Sequence, residues 1–118
     1  MDVYVADDLP FVRAQLLARL RAGEVGILPT DTLYGLSGDA SRPEVVRRIQ
    51  RLKRRKNPPS LIPPSLDWAR QAIAPSHRER FTRLHADYVG PFTMLFPSAS
   101  GPLQRTLGSR AVGVRLPD

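Results

Sequence analysis

The twelve residues Val25-Gly-Ile-Leu-Pro-Thr-Asp-Thr-Leu-Tyr-Gly-Leu36 constrain the fold of this chain more than any other stretch. The apolar run Val25 to Leu28 is long enough for one buried strand, and Pro29 ends it because proline cannot donate to a ladder. The strand then delivers Thr30, Asp31 and Thr32 at its carboxyl end, where loops of open α/β sheets converge on ligands. Two hydroxyls and a carboxylate followed by Tyr34 and Gly35 suit a small polar ligand. They equally suit a turn in which Thr30 or Asp31 caps the next helix and Gly35 relieves the backbone. The two readings are compatible.

A chain of 118 residues forms at most one modest domain, burying roughly 65% of the surface its unfolded form exposes. It has no run of about 18 apolar residues and no charged leader before an apolar core, so neither a membrane span nor a secretory signal is expected, and a cytoplasmic setting is the default. The absence of cysteine excludes a thiolate nucleophile, a cysteine zinc site and disulfides, leaving oxygen and nitrogen groups for any chemistry. His77 and His85 are eight residues apart, not the four that would pair metal ligands on a helix face, so no metal site and surface histidines are expected. A formal charge of +7, from 18 Lys and Arg against 11 Asp and Glu, favours polyanions without selecting one.

Along the chain, Val3 to Val5 reads as a short edge strand. Leu9 to Ala22 reads as a core-packed helix, with Leu9, Val12, Leu16, Leu17 and Leu20 at helical spacing and Gly23 as its stop. Ser41-Arg-Pro-Glu44 has the form of a capping box, predicting a helix from about Arg42. Val45, Val46, Ile49 and Leu52 form its apolar stripe. Arg47 and Arg54 point away from that stripe, while Lys53 continues it inward, where a lysine must reach water along its stem or meet an anion. Arg42, Arg47, Arg48, Arg51, Lys53, Arg54, Arg55 and Lys56 concentrate positive charge against Glu44 alone, a pattern that fits an RNA-facing patch but offers no aromatic for base stacking. The proline-dense 57–64 segment is predicted extended, with a short strand at Ser60 to Ile62. Ser65 is expected to cap a helix through Ile73 with Trp68 on the sheet, and a further helix spans His77 to His85. A turn followed by an apolar strand is read over 90–96 and a strand over 111–117, separated by a helical turn at Leu103 to Leu107.

Leu28-Pro-Thr-Asp-Thr-Leu-Tyr-Gly-Leu36 closely resembles the opening signature of the YrdC-like family, the threonylcarbamoyl-adenylate synthases that begin threonylcarbamoyl modification of adenosine in tRNA. Lys53-Arg-Arg55 is similar to the family's Lys-x-Arg, Gly90-Pro-Phe-Thr93 to its Gly-Pro-x-Thr and Arg115-Leu-Pro117 to its Arg-x-Pro. The resemblance implies a twisted mixed α/β sheet flanked by helices around an open basic cavity. It further implies condensation of L-threonine, bicarbonate and ATP to threonylcarbamoyl-AMP and pyrophosphate, with Mg²⁺ bridging the phosphates. On it, Thr30, Thr32, Tyr34 and Arg115 would bind L-threonine. Lys53 and Arg55 would be the catalytic phosphate ligands, joined by Asn57 and Thr93 in binding ATP; the loop around Asn57 is one or two residues shorter than in the family.

Family members continue for about another half-length and carry a Ser-x-Asn motif there. The expectation is therefore one YrdC-like domain over 1–118, incomplete at its C-terminus and weak as a synthase alone. Two alternatives stay open: a non-catalytic module of this fold binding tRNA or double-stranded RNA, and a carbamoyl-adenylate-forming domain.

Overall fold

The computed structural model describes residues 1–4 and 9–117. Its elements in chain order are α1 (Leu9–Arg21), β1 (Gly26–Pro29), β2 (Tyr34–Ser37), α2 (Pro43–Lys53), α3 (Leu66–Ala72), a 3-10 turn (Pro75–His77), α4 (Arg78–Leu84), β3 (Met94–Phe96), α5 (Gly101–Leu107) and β4 (Val112–Val114). The fold is mixed α/β, as expected, but its strands are very short.

β4 is the axis. Val112 and Val114 are buried, as period-2 alternation requires of a strand with one face in the core. β3 pairs with it antiparallel, Met94 opposite Val114 and Phe96 opposite Val112. On its other side Leu61 forms a parallel bridge to Val114, with Leu61 N donating to Gly113 O and Arg115 N to Leu61 O, each at 2.8 Å. Only Leu61 of the expected 60–62 strand pairs, because Pro58, Pro59, Pro63 and Pro64 remove donors on both sides. A second parallel bridge joins Val89 to Leu116 and an antiparallel one joins Ile73 to Ala99, so the arrangement around β4 is mixed.

Helices α2, α3, α4 and α5 supply Val46, Ala69, Phe81 and Leu107 to the core cluster, where they meet Leu61, Ile73, Phe96 and the β4 valines. Phe81 and Phe96 meet edge-on with centroids 6.1 Å apart, the favoured aromatic geometry. Ser65 caps α3 as its sequence indicates, its hydroxyl accepting from Trp68 N. Trp68 does not seal the sheet; it remains 37% exposed.

Four expectations need correction. The capping box at Ser41 does not form: Ser41 N and Oγ both donate to Asp39 Oδ1, at 2.9 and 2.6 Å, so Arg42 becomes an N-cap without a side-chain bond and Pro43 opens α2. Those Ser41 donors hold the Asp39 carboxyl below its ordinary value. Helix α1 forms but is not core: from Pro10 to Arg21 no residue is buried, and Phe11 and Leu17 are 58% and 39% exposed. Its end is held by polar contacts instead, Arg19 reaching Glu24, Asp2 and Tyr4. Val3 is in no strand, and Val5 lies outside the described residues. Both histidines are half-buried, His77 against Phe96 and His85 against Phe81, because the short α4 lies on the core rather than beside it.

Candidate functional site

β1 does not lead into a helix. It turns through Thr30 to Leu33 into β2, pairing antiparallel from Gly26 opposite Ser37 to Pro29 opposite Tyr34. Proline is tolerated there because the strand lies at an edge. The three polar residues thus form a hairpin loop, not the carboxyl end of a parallel strand, and neither Thr30 nor Asp31 caps a helix.

The Thr30 hydroxyl builds that loop. It donates to Leu33 O at 2.7 Å and accepts from the N–H groups of Thr32 and Leu33 at 3.3 and 3.2 Å. One donor and two acceptor positions are all a hydroxyl has. Thr30 is therefore committed to the turn in this conformation, and Thr32 is the hydroxyl left for other partners. Tyr34, the first residue of β2, is 75% exposed.

Arg115 follows β4 and closes the site from the far end of the chain. Its Nη2 donates to Asp31 Oδ1 at 2.6 Å and to Thr32 Oγ1 at 2.9 Å. The Arg115 and Asp31 side chains are 20% and 12% exposed. Its Nε is buried without an acceptor among the described residues. Extending the β3–β4 register by one residue sets Thr93 opposite Arg115. The fit is close: a Cβ added at Gly113, on the face of β4 that Arg115 shares, would stand 3.1 Å from Thr93 Cγ2 and 3.2 Å from Ser60 Oγ. Thr30, Thr32, Arg115 and Thr93 are thereby gathered in one region.

Lys53, Arg55 and Asn57 form a separate group at the end of α2 and the turn after it. All three are exposed, and no hydrogen bond or ion pair joins them to the hairpin or Arg115 among the described residues. The inward placement expected for Lys53 is not found. The buried stripe stops at Ile49, and Leu52 is already 55% exposed, because the helix end projects beyond the core. Arg54 then enters the left-handed region at φ 51°, so helical phase cannot be carried on to Arg55.

Asp31, noted in the sequence only as part of a polar triplet and given no role in binding threonine or ATP, is the residue that pairs with Arg115. Its only signal was a carboxylate between two hydroxyls in a chain rich in arginine. A cavity of about 360 Å³ opens between β2, α2 and Trp68, lined by residues such as Leu36, Asp39, Val46 and Leu61. None of the residues expected in the site lines it.

Comparison with known proteins adds relatives to this geometry. A family model for Sua5/YciO/YrdC, described as telomere recombination, matches residues 18–118. Threonylcarbamoyl-AMP synthase of Bacillus subtilis is 30% identical over 109 residues, covering 89% of this chain and 32% of its own length. The Mus musculus protein of that name is 36% identical over 107 residues, covering 86% and 37%. That of Haemophilus influenzae is 32% identical over 111 residues, covering 90% and 61%. The structure of a doubly substituted Sua5 from P. abyssi superposes with a TM-score of 0.69 at 26% identity, over 95% of this chain and 34% of that one. The chain thus spans between about a third and three fifths of the length of these relatives.

Proposed function

The chain belongs to the Sua5/YciO/YrdC family, and from that premise we propose that it carries substrate-binding elements of an L-threonylcarbamoyladenylate synthase acting for tRNA modification in the cytoplasm. The observation that carries the reading is the junction of Arg115 with Asp31 and Thr32, which brings residues 84 and 83 positions apart into one polar site.

The chemistry asks for little covalent help. The amine nitrogen of L-threonine bonds to the carbon of bicarbonate and water leaves. An oxygen of the resulting carbamate then bonds to the α-phosphorus of ATP, and the bond from that phosphorus to the bridging oxygen breaks, releasing pyrophosphate. What a protein supplies is closeness, orientation and positive charge. Thr32, Tyr34 and Arg115 would hold the amino acid, with Thr30 shaping their loop. Lys53 and Arg55, aided by Asn57 and Thr93, would hold the phosphates. Mg²⁺ would arrive on the ATP phosphates as part of the substrate, bridging them as the resemblance implies.

One observation favours a second reading, a tRNA or double-stranded RNA surface. Arg47, Arg48, Arg51, Lys53, Arg54, Arg55 and Lys56 are all exposed, and none is in an ion pair among the described residues. Pyrophosphate release that requires L-threonine, bicarbonate and ATP together is the outcome expected of the synthase. Release with a carbamoyl donor in place of threonine and bicarbonate would support carbamoyl-adenylate chemistry. RNA retention with neither reaction and no threonine binding would leave the RNA module.

A further inference from the structure

Among the described residues, the two hydrogen bonds from Arg115 Nη2 are the only ones joining residues 26–37 to the rest of the chain. Both hydrogens of Nη2 are used in this way. Nη1 makes no hydrogen bond among the described residues and is not fully buried. Thr32 Oγ1 accepts from Arg115, and its only other hydrogen-bond contact among the described residues is a long one of 3.4 Å to Thr30 Oγ1, which already donates to Leu33 O and accepts two N–H groups, so the Thr32 hydroxyl proton is weakly held. The site accordingly offers two donors, Arg115 Nη1 and Thr32 Oγ1, and the Asp31 carboxylate holds Nη2 of the same guanidinium, which in turn bonds Thr32.

We propose that Asp31 is a positioning residue for the carboxylate of the amino-acid substrate. The proposal rests on the synthase reading above and adds to it the residue that aims Arg115. Without Asp31 the long arginine side chain has no charged partner fixing its plane, and the hairpin loop loses one of its two ties. The same charge argues for the kind of anion received. An arginine already paired with a carboxylate keeps its directional N–H groups but little net attraction, which suits one carboxylate better than a polyphosphate.

The test is calorimetric titration of the whole chain and its Asp31→Asn variant with L-threonine, with threoninol, which has a hydroxymethyl in place of the carboxylate, and with ATP. Asp31→Asn should lower threonine affinity about tenfold, as expected for a lost charged hydrogen bond, and leave threoninol and ATP unchanged. In an Arg115→Gln background the same substitution should have no further effect, since it acts through Arg115. Unchanged threonine affinity overturns the proposal. So does an equal loss for threonine and threoninol, which marks a loop scaffold, or a loss confined to ATP, which places Arg115 on the phosphates. If the unsubstituted chain binds no threonine, the synthase reading falls and the proposal with it. Should Asp31→Asn fail to fold, Asp31→Glu reads the same ratio, with a smaller loss expected.

Discussion

Arg115 and Asp31, 84 positions apart, meet through Nη2 and Oδ1 at 2.6 Å with most of both side chains withdrawn from water. The contact ties a hairpin built from local hydrogen bonds to a strand end built from core packing. Neither half needs the other for its own secondary structure. A contact of this kind governs local opening more than global stability.

Arg115→Gln, which leaves the Asp31 carboxylate, on a side chain mostly withdrawn from water, without its cation, should lower the free energy of unfolding by about 1–3 kcal/mol. Amide exchange at the β1–β2 ladder, Leu28 and Leu36 among its residues, should nevertheless accelerate while the Val112 and Val114 amides keep their protection. Uniform acceleration across the chain would show that the pair supports the whole fold.

Two threonines of one loop should separate by phenotype. Thr30→Val removes a hydroxyl engaged in three bonds and should cost about 1 kcal/mol or more of hairpin stability, seen by denaturant titration. Thr32→Val should change stability less and weaken L-threonine binding more. A larger threonine-affinity loss for Thr30→Val than for Thr32→Val, with stability unchanged, would reverse these roles.

The glycines Gly35 and Gly38 differ in the same way. A Cβ on Gly35 would meet nothing within 4 Å, and its φ is not in the left-handed region. A Cβ on Gly38 would collide with Cγ1 of the buried Val45. Gly35→Ala should be nearly neutral and Gly38→Ala should cost about 1–3 kcal/mol, the range for overpacking a core. Chemical denaturation of the pair decides it; equal midpoints would mean Val45 moves freely.

That contrast also shows what the sequence could convey. Helix α3 was legible because Ser65 is a local cap, and α2 because its apolar stripe repeats within a few residues. Gly35 was singled out, yet Gly38 is the tight position, because tightness is set by Val45 across the fold. The β1–β2 hairpin was missed because its loop has no Asn-Gly signal; the Thr30 hydroxyl makes the turn instead. Helix α1 shows correct period without the packing that period usually announces. Resemblance brought Arg115 toward the substrate, but nothing local to Asp31 indicated a partner 84 residues away.

If the basic face of α2 is an RNA surface, affinity should fall steeply with salt and show little sequence preference, since each phosphate contact releases counterions. Three phosphate contacts would lower affinity roughly 40-fold for a fourfold rise in salt at a slope of about −0.9 per contact. Gel-shift titrations at two salt concentrations measure this directly. No retardation, or a flat response, removes the RNA reading.

The end of α2 supplies the last separation. Arg54 sits at φ 51°, a left-handed cap whose own N–H donates to Arg51 O while the N–H of Arg55 donates to Gln50 O. Such caps usually carry glycine, because a Cβ is strained there. Arg54→Gly should thus stabilise the chain by about 0.5–1 kcal/mol, less whatever glycine adds to the entropy of the unfolded state. Lys53 is one residue earlier, helical and exposed, so Lys53→Ala should leave the melting temperature nearly unchanged. For nucleotide binding the order should invert: Lys53→Ala weakens ATP markedly, while Arg54→Gly does so little. Equal ATP losses in the two variants would mean that the positive field of the segment, rather than the Lys53 ammonium itself, recognises the phosphates.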